Sequence, residues 1–228
     1  MSSTFIKHKP CPKCGSKDNL GEYTDHEYCF GCQYYKLKRD VHTLRQRYQK
    51  TNDTTNHFGI TTVPEIPRQA MKWLLSYGIS VDEIAKHTIE WSPDRNSLVL
   101  LNTGSYWQGR NFGVGPKYMS NGVKPLTIYG EGDILVLVED ILSAIKVSRV
   151  SGYCAVPLLG SSLPTDWQST LTDKYDIILF WLDRDKAKNS IRFKNRIKSL
   201  GKVSKVIITE RDPKEYNTKE IEKWLKNR

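Results

Sequence analysis

From Val63 onward the apolar positions fall into a regular order. The segment "IPRQAMKWLLSYGIS" places Met71, Leu74 and Leu75 on one helical face, with Pro67 as the first helical residue and Gly78 as the stop. "SVDEIAKHTI" sets Ser80 three positions before Glu83, the spacing of a capping box that opens a second helix. "SLVLLNTGSYWQGRNF" reads as a hairpin, an apolar strand and an aromatic return strand about a turn at Asn102–Gly104.

After Gly130 the rhythm changes. "DILVLVED", "YCAVPLLG", "DIILFWLD" and "KVSKVIITE" are apolar strand patterns. Between and after them come the helical patterns "ILSAIKVSRVSG", "SLPTDWQSTLTDKY", "KNSIRFKNRIKSLG", closed by Gly201, and "NTKEIEKWLKNR". The proline in "YCAVPLLG" predicts a short strand or one near an edge. Near-continuous apolar strands alternating with helices predict a parallel sheet covered on both faces. Such a sheet binds ligands at the carboxyl ends of its strands, where Glu139, Asp183, Asp185 and Asp212 fall.

The first 40 residues follow neither rhythm and hold Cys11, Cys14, Cys29 and Cys32 as two C-x-x-C pairs. Each pair makes a knuckle that turns two thiolates toward one point, and the segment between can form a hairpin joining the knuckles. Four thiolates with no open position suit a tetrahedral structural zinc, whose binding would supply folding energy that so small a core cannot. The polar stretch that follows, with its "TNDTTN" tract, reads as a linker. The predicted organisation is a zinc ribbon at 1–40, a flexible linker at 41–62, a small α+β subdomain at 63–130 and an α/β domain at 131–228.

Charge narrows the class of partner. A net charge of +10 with a pI near 9.3 points to a polyanion, nucleic acid or membrane surface. No run reaches the apolar length of a membrane span, and "MSSTFIKHKPCPKC" has no apolar signal core. A chain kept in a reducing cytoplasm is therefore expected, with its five cysteines not forming a disulfide framework. Cys154, inside a strand pattern, reads as a small buried apolar residue. Around the second knuckle stand His26, Tyr28, Phe30, Tyr34 and Tyr35, then Lys36, Lys38 and Arg39. Aromatics stack on bases and basic side chains hold phosphates, although Tyr28 and Phe30 serve as well to pad a small ribbon.

Asp183 and Asp185 stand at i, i+2 just beyond an apolar run. On extended backbone such a pair shares a side, and two adjacent carboxylates stay ionised only beside positive charge. Mg²⁺ fits as a hard ion taking one or two carboxylates plus substrate phosphates. A solvated loop pair, or Asp185 capping the next helix, accounts for the same two residues. Glu139 and Asp212, delivered from other strands of the same sheet, favour a common site.

"LVLVED…FWLDRD" resembles a Toprim domain, the catalytic fold of bacterial DnaG-type primases, type IA topoisomerases and some nucleases, with Glu139, Asp183 and Asp185 at its Glu and D-x-D positions. Ribbon, linker and Toprim in this order look like the zinc-ribbon primases, especially the primase half of bacteriophage primase–helicases. His26 stands three positions before the third Cys, as in the phage ribbon. "WQGRNFGVGPKYMS" resembles the basic segment before the Toprim domain, with Gly109–Arg110 and Lys117–Tyr118 in place of its G-R and K-Y. "RDPKEYN" resembles the D-x-N-E segment, with Asp212 and Glu215 matching and Lys214 in place of Asn. The first motif departs from E-G-x-x-D: "EDILS" has Asp140 for Gly and Ser143 for Asp, so no catalytic role passes to Ser143.

The resemblance implies a DNA primase making short RNA primers on a single-stranded DNA template from ribonucleoside triphosphates. Asp183, Asp185 and Asp212 would hold Mg²⁺ or Mn²⁺, and Glu139 would be a metal ligand or accept a proton. Arg110 and Lys117 would hold triphosphate, and His26 would help the ribbon read the template. No G-x-x-x-x-G-K loop occurs, so a separate replicative helicase is the expected partner. A phage source would place the protein in the host-cell cytoplasm. Two other readings use the same residues: a Toprim nuclease, and a non-catalytic single-strand-binding protein for which the altered "EDILS" motif speaks.

Overall fold

A computed structural model describes residues 3–41, 44, 59–160 and 162–227. Residues 42–43 and 45–58 of the expected linker lie outside the described residues. The contacts divide the chain into two compact units, Met1–Pro125 and Leu126–Arg228.

The N-terminal unit begins with an antiparallel meander, β1 (Phe5–Lys9), β2 (Leu20–Tyr23), β3 (His26–Cys29) and β4 (Tyr35–Leu37), paired in sequence order. Its small core is Leu20, Cys11 and Cys29, with Cys32 and Tyr34 packed against them. Two helices follow, α1 (Arg68–Ser76) and α2 (Val81–Lys86), then a second antiparallel meander, β5 (Glu90–Ser92), β6 (Ser97–Asn102), β7 (Tyr106–Asn111) and β8 (Tyr118–Gly122).

The local signals act as their chemistry dictates. Ser80 Oγ accepts the Glu83 N–H at 3.1 Å and Glu83 Oε2 accepts the Ser80 N–H at 2.8 Å, closing the capping box. Gly78, at φ +70°, ends α1 in the left-handed conformation that favours glycine. Pro67 differs from expectation: its ψ of 149° is extended, so it caps α1 from outside instead of opening it. The predicted hairpin is β6–β7. Strand β8 was not signalled by the sequence, because "YMSNG" is exposed and carries no apolar alternation.

The C-terminal unit is the expected parallel sheet. Its strands are β9 (Ile134–Val138), β10 (Tyr153–Pro157), β11 (Ile177–Trp181) and β12 (Val203–Val206), in the order β10-β9-β11-β12. The proline-bearing β10 is an edge strand, as predicted. Alternation splits the strand side chains between two faces. Leu135, Leu137, Ile178 and Phe180 join Trp167 and Leu171 of α4 (Thr165–Lys174) and Phe193 and Ile197 of α5 (Ala187–Ser199) in one core. On the opposite face α3 (Ile141–Val147) packs on β9 and β10 and against α6 (Thr218–Lys226). The Trp181 ring meets Tyr216 there, and its indole N–H donates to Thr209 Oγ1 at 2.8 Å.

This strand order has a consequence for function. From β9 the chain crosses to β10 on one side, while β11 and β12 continue on the other. The direction of winding therefore reverses between the adjacent strands β9 and β11, and a crevice opens beyond their carboxyl ends. Trp181 is in register with Val138, so Glu139, one residue beyond β9, and Asp183, two beyond β11, both emerge at that crevice. Among the described residues no helix is long and apolar enough to cross a membrane.

Candidate metal centre and active site

The cysteine centre is built by two matched turns. Cys11 and Cys14 sit on a turn closed by the Gly15 N–H donating to the Cys11 carbonyl at 3.0 Å. Cys29 and Cys32 sit on its counterpart, where the Gln33 N–H donates to the Cys29 carbonyl at 2.8 Å. Both closing residues have positive φ, +70° at Gly15 and +57° at Gln33. All four Sγ atoms lie within 4.8 Å of one another, with Cys11–Cys32 at 3.6 Å and Cys14–Cys29 at 3.8 Å. A tetrahedral zinc with bonds of about 2.3 Å requires sulfur–sulfur edges of about 3.8 Å, so the cluster fits a zinc ribbon. Burial alone would raise the Cys11 thiol, but the backbone groups of Cys14 and Lys13 and the neighbouring thiols outweigh it and bring it down to about 6. The thiolate that a metal needs is thus accessible at neutral pH.

At the crevice of the parallel sheet five carboxylates and two lysines gather. Burial, and then the carboxylates of Glu139 and Asp212, push Asp183 up to about 7, against the pull of Lys214. Asp212 adds to this by hydrogen bonding, which requires a proton on one of the two carboxyls and so favours the neutral Asp183. Burial also raises Glu139, helped by Asp185, Asp140 and Asp212 and opposed by Lys186. Glu139 Oε2 is buried without a hydrogen-bond partner, a costly state for a carboxylate oxygen unless a cation meets it. Asp185 is the exposed member, lowered by its 2.6 Å contact with Lys186. It does not cap α5, whose N-cap is Lys186.

Asp212 returns to the crevice although it lies six residues beyond β12. Thr209 fixes the path, donating to the Arg211 carbonyl at 2.7 Å while accepting the Trp181 indole. The Asp212 N–H then donates to Glu215 Oε2 at 3.1 Å, starting a short 3₁₀ turn over Pro213–Glu215. Lys214 on that turn reaches Asp212 Oδ2 at 2.6 Å and Asp140 Oδ2 at 2.9 Å. Burial works against the Lys214 charge, but Asp140 and Asp212 outweigh it and hold its pKa above the ordinary value. The carboxylates do not converge as tightly as the thiols: among the described residues, only the four cysteines form a ligand group within 4.8 Å.

In the N-terminal unit a groove of about 700 Å³ runs between the ribbon and α1 and β7. Arg68, Lys72 and Arg110 line it with Tyr28, Trp73 and Phe112, and among the described residues no carboxylate does. The Arg110 guanidinium lies over the rings of Trp73, Phe112 and Tyr118 at 5.4–5.9 Å. Its Nη1 donates to the carbonyls of Asn111 at 2.7 Å and Lys117 at 3.1 Å. Lys117 is exposed beside Tyr118.

His26 is buried, with 1% of its surface exposed. Its ring stacks on Tyr23 at 4.5 Å, and its Nδ1 bonds Asp25 Oδ1 at 2.9 Å. The ring is enclosed in the ribbon and holds Asp25, which is itself 1% exposed.

No protein-family model matches the chain, and no curated protein matches it. Among solved structures it is similar to the Aquifex aeolicus primase zinc-binding and RNA polymerase domains. The identity is 12% and the TM-score 0.50, over 98% of this chain and 80% of that one. The Escherichia coli primase catalytic core gives 14% identity and a TM-score of 0.48, over 83% and 74% of the two chains. A DnaG primase catalytic domain bound to single-stranded DNA gives 14% and 0.45, over 83% and 73%. The chain has the fold of a DnaG-type primase core.

Within the primase fold, sequence reasoning had singled out Glu139, Asp183, Asp185 and Asp212, which share one crevice, and Arg110 on β7 and Lys117 just before β8, whose carbonyl accepts from Arg110. It missed the groove residues Arg68, Lys72 and Trp73. Their signal was present, since Arg68 and Lys72 are four apart on α1, opposite its apolar stripe. It also read Lys214 only as a substitution for Asn, and its bond to Asp140 joins positions 74 residues apart that no local pattern connects.

Proposed function

We propose that the protein is a DNA primase whose C-terminal unit is a Toprim domain. The observation that carries this reading is that the primase likeness spans 98% of the chain, ribbon and parallel sheet together, while Glu139 and Asp183 emerge at the switch point of that sheet. In the proposed reaction the 3′-hydroxyl of one ribonucleotide attacks the α-phosphate of the next. The new phosphodiester forms as the bond to pyrophosphate breaks, and the hydroxyl proton leaves to a base.

The donor set is all carboxylate oxygen, which suits Mg²⁺ or Mn²⁺, and the unpartnered Glu139 Oε2 and the raised pKa of Asp183 suit a site that takes a cation. Glu139, Asp183, Asp185 and Asp212 would hold it. Bound there, the ion would offset triphosphate charge and orient the attack. Arg110 and Lys117 are assigned to nucleotide phosphate on the strength of the resemblance. The basic, aromatic groove of the N-terminal unit suits a single strand, whose phosphates meet Arg68 and Lys72 and whose bases stack on Trp73. His26 would act on template reading through the ribbon's position. The protein would act with a replicative helicase in a host cytoplasm.

Labelled ribonucleotides on single-stranded DNA templates test the proposal. Short RNA from the wild type, and none from Asp183→Ala or Glu139→Gln, is the expected result. Shortened DNA without RNA would replace it with the nuclease reading.

A further inference from the structure

We propose that the Lys214 ammonium is a built-in cation standing where a second divalent ion would otherwise sit, so that the carboxylate crevice takes one divalent ion and not two. The inference rests on the metal-site reading above and concerns how many ions that site holds.

The argument starts from where Lys214 is fixed. Its Nζ lies 2.6 Å from Asp212 Oδ2 and 2.9 Å from Asp140 Oδ2, with only 14% of the side chain exposed. Asp140 is itself anchored at the N-terminus of α3, accepting the Ser143 N–H at 3.1 Å and the Ser143 hydroxyl at 2.9 Å. The Lys214 carbonyl accepts the Lys146 ammonium at 2.7 Å. Backbone, side chain and both partners are therefore held, and the ammonium cannot swing out without leaving Asp140 and Asp212 facing each other unpaired.

Charge separates the crevice into two halves. Asp140 and Asp212 share the Lys214 cation. Among the described residues no ion pair is made to Glu139 or Asp183, which feel Lys186 and Lys214 only from a distance, and Glu139 Oε2 is buried with nothing donating to it. Polymerases that use two ions set them about 4 Å apart between shared carboxylates. Here Asp212 is the carboxylate positioned to be shared, and a fixed cation already meets one of its oxygens. A second divalent ion at that distance would meet the ammonium at close range, and the added carboxylate, Asp140, is already engaged by that ammonium. "EDILS" and "RDPK" are thus linked: Asp140 replaces a glycine, Lys214 replaces an Asn, and the two form one pair, while Ser143 gives up a carboxylate for the bond that anchors Asp140.

The test counts Mn²⁺ on the full chain, with the ribbon zinc-loaded, by the electron paramagnetic resonance signal of free Mn²⁺ during titration. The wild type should bind one ion tightly. Lys214→Met should bind two, because the charge is removed and Asp140 and Asp212 are released, and Lys214→Arg should stay at one. Two tight ions on the wild type would overturn the inference whether or not the Met variant folds, as would one ion on both the wild type and a folded Met variant. No ion on the wild type would overturn the underlying metal site as well. Asp183→Asn, expected to lose the single ion, assigns the count to this crevice.

Discussion

Asp25 Oδ2 in the ribbon accepts the backbone N–H of Val81, the first residue of α2, at 2.8 Å. Its other oxygen accepts from His26 Nδ1 at 2.9 Å and from the Ser3 hydroxyl. Burial would raise this carboxyl, but the bonds from His26 and Ser3, the His26 charge and the Val81 amide outweigh it and hold it at about 2. The ribbon and α2 thus share one buried anion. Asp25→Ala should cost about 2–3 kcal/mol at neutral pH, the scale of lost hydrogen bonds to a charged group. Because the folded pKa lies below the ordinary 3.8, that stabilisation is present above about pH 4 and fades as pH falls toward 2. Urea unfolding of wild type and variant at pH 7 and pH 3 checks this. A gap that does not narrow in acid would refute it. His26→Ala, which removes the partner of the same anion, should shift stability in the same direction.

Asp183 has the opposite sign. Its folded pKa of about 7 lies above the ordinary 3.8, so without a divalent ion the ionised form is disfavoured in the folded protein. The stability this group contributes is whole below about pH 4 and is lost as pH rises through 7. Asp183→Asn should therefore melt above the wild type at pH 8 in the presence of a chelator, with the difference closing near pH 4. Mg²⁺ should raise the wild type at pH 8 and leave the variant nearly unmoved. Parallel melting profiles for the two proteins would reject the assignment.

What the sequence showed and what it hid divide along a physical line. Period-two and helical apolar spacing are local, and they located β9, β11 and the helices between them. The Ser80–Glu83 box and the stop at Gly78 are local as well. The cysteine knuckles were legible because two C-x-x-C pairs constrain a metal geometry directly. The remainder depends on meetings across long stretches of chain. His26 read as a template-reading candidate beside a knuckle, and its burial, which depends on Tyr23, Asp25 and, through Asp25, on Val81 far along the chain, had no local signal. Lys214 looked like a lost Asn until its bond to Asp140 was seen. Strand β8 pairs with β7 through its backbone, which needs no apolar pattern.

The groove gives a prediction in salt. Arg68 and Lys72 line a cavity that has no carboxylate in its wall among the described residues. If each meets one phosphate, Arg68→Ala or Lys72→Ala should lower the slope of log affinity against log salt for single-stranded DNA by about 0.7. Trp73→Ala should instead lose about 1–3 kcal/mol of stacking with the slope unchanged. Fluorescence anisotropy with a labelled oligonucleotide across a salt series separates the two effects. An unchanged slope in both cation variants would remove the groove as the strand's path.

The ribbon has too few apolar residues to hold itself together. Its core is three buried residues, two of them cysteines, with Cys32 and Tyr34 against them. Structure in β1–β4 should therefore depend on zinc. The full chain should carry one zinc, lost in Cys29→Ser and removed by a strong chelator. Hydrogen exchange followed by mass spectrometry reads the consequence directly. After zinc removal the amides of β1–β4 should exchange freely, while those of β9–β12, in the separate C-terminal unit, keep their protection. The Val81 amide should also lose protection, since the Asp25 that accepts it belongs to the ribbon. Retained protection in β3 without zinc would show that the strands stand without the metal.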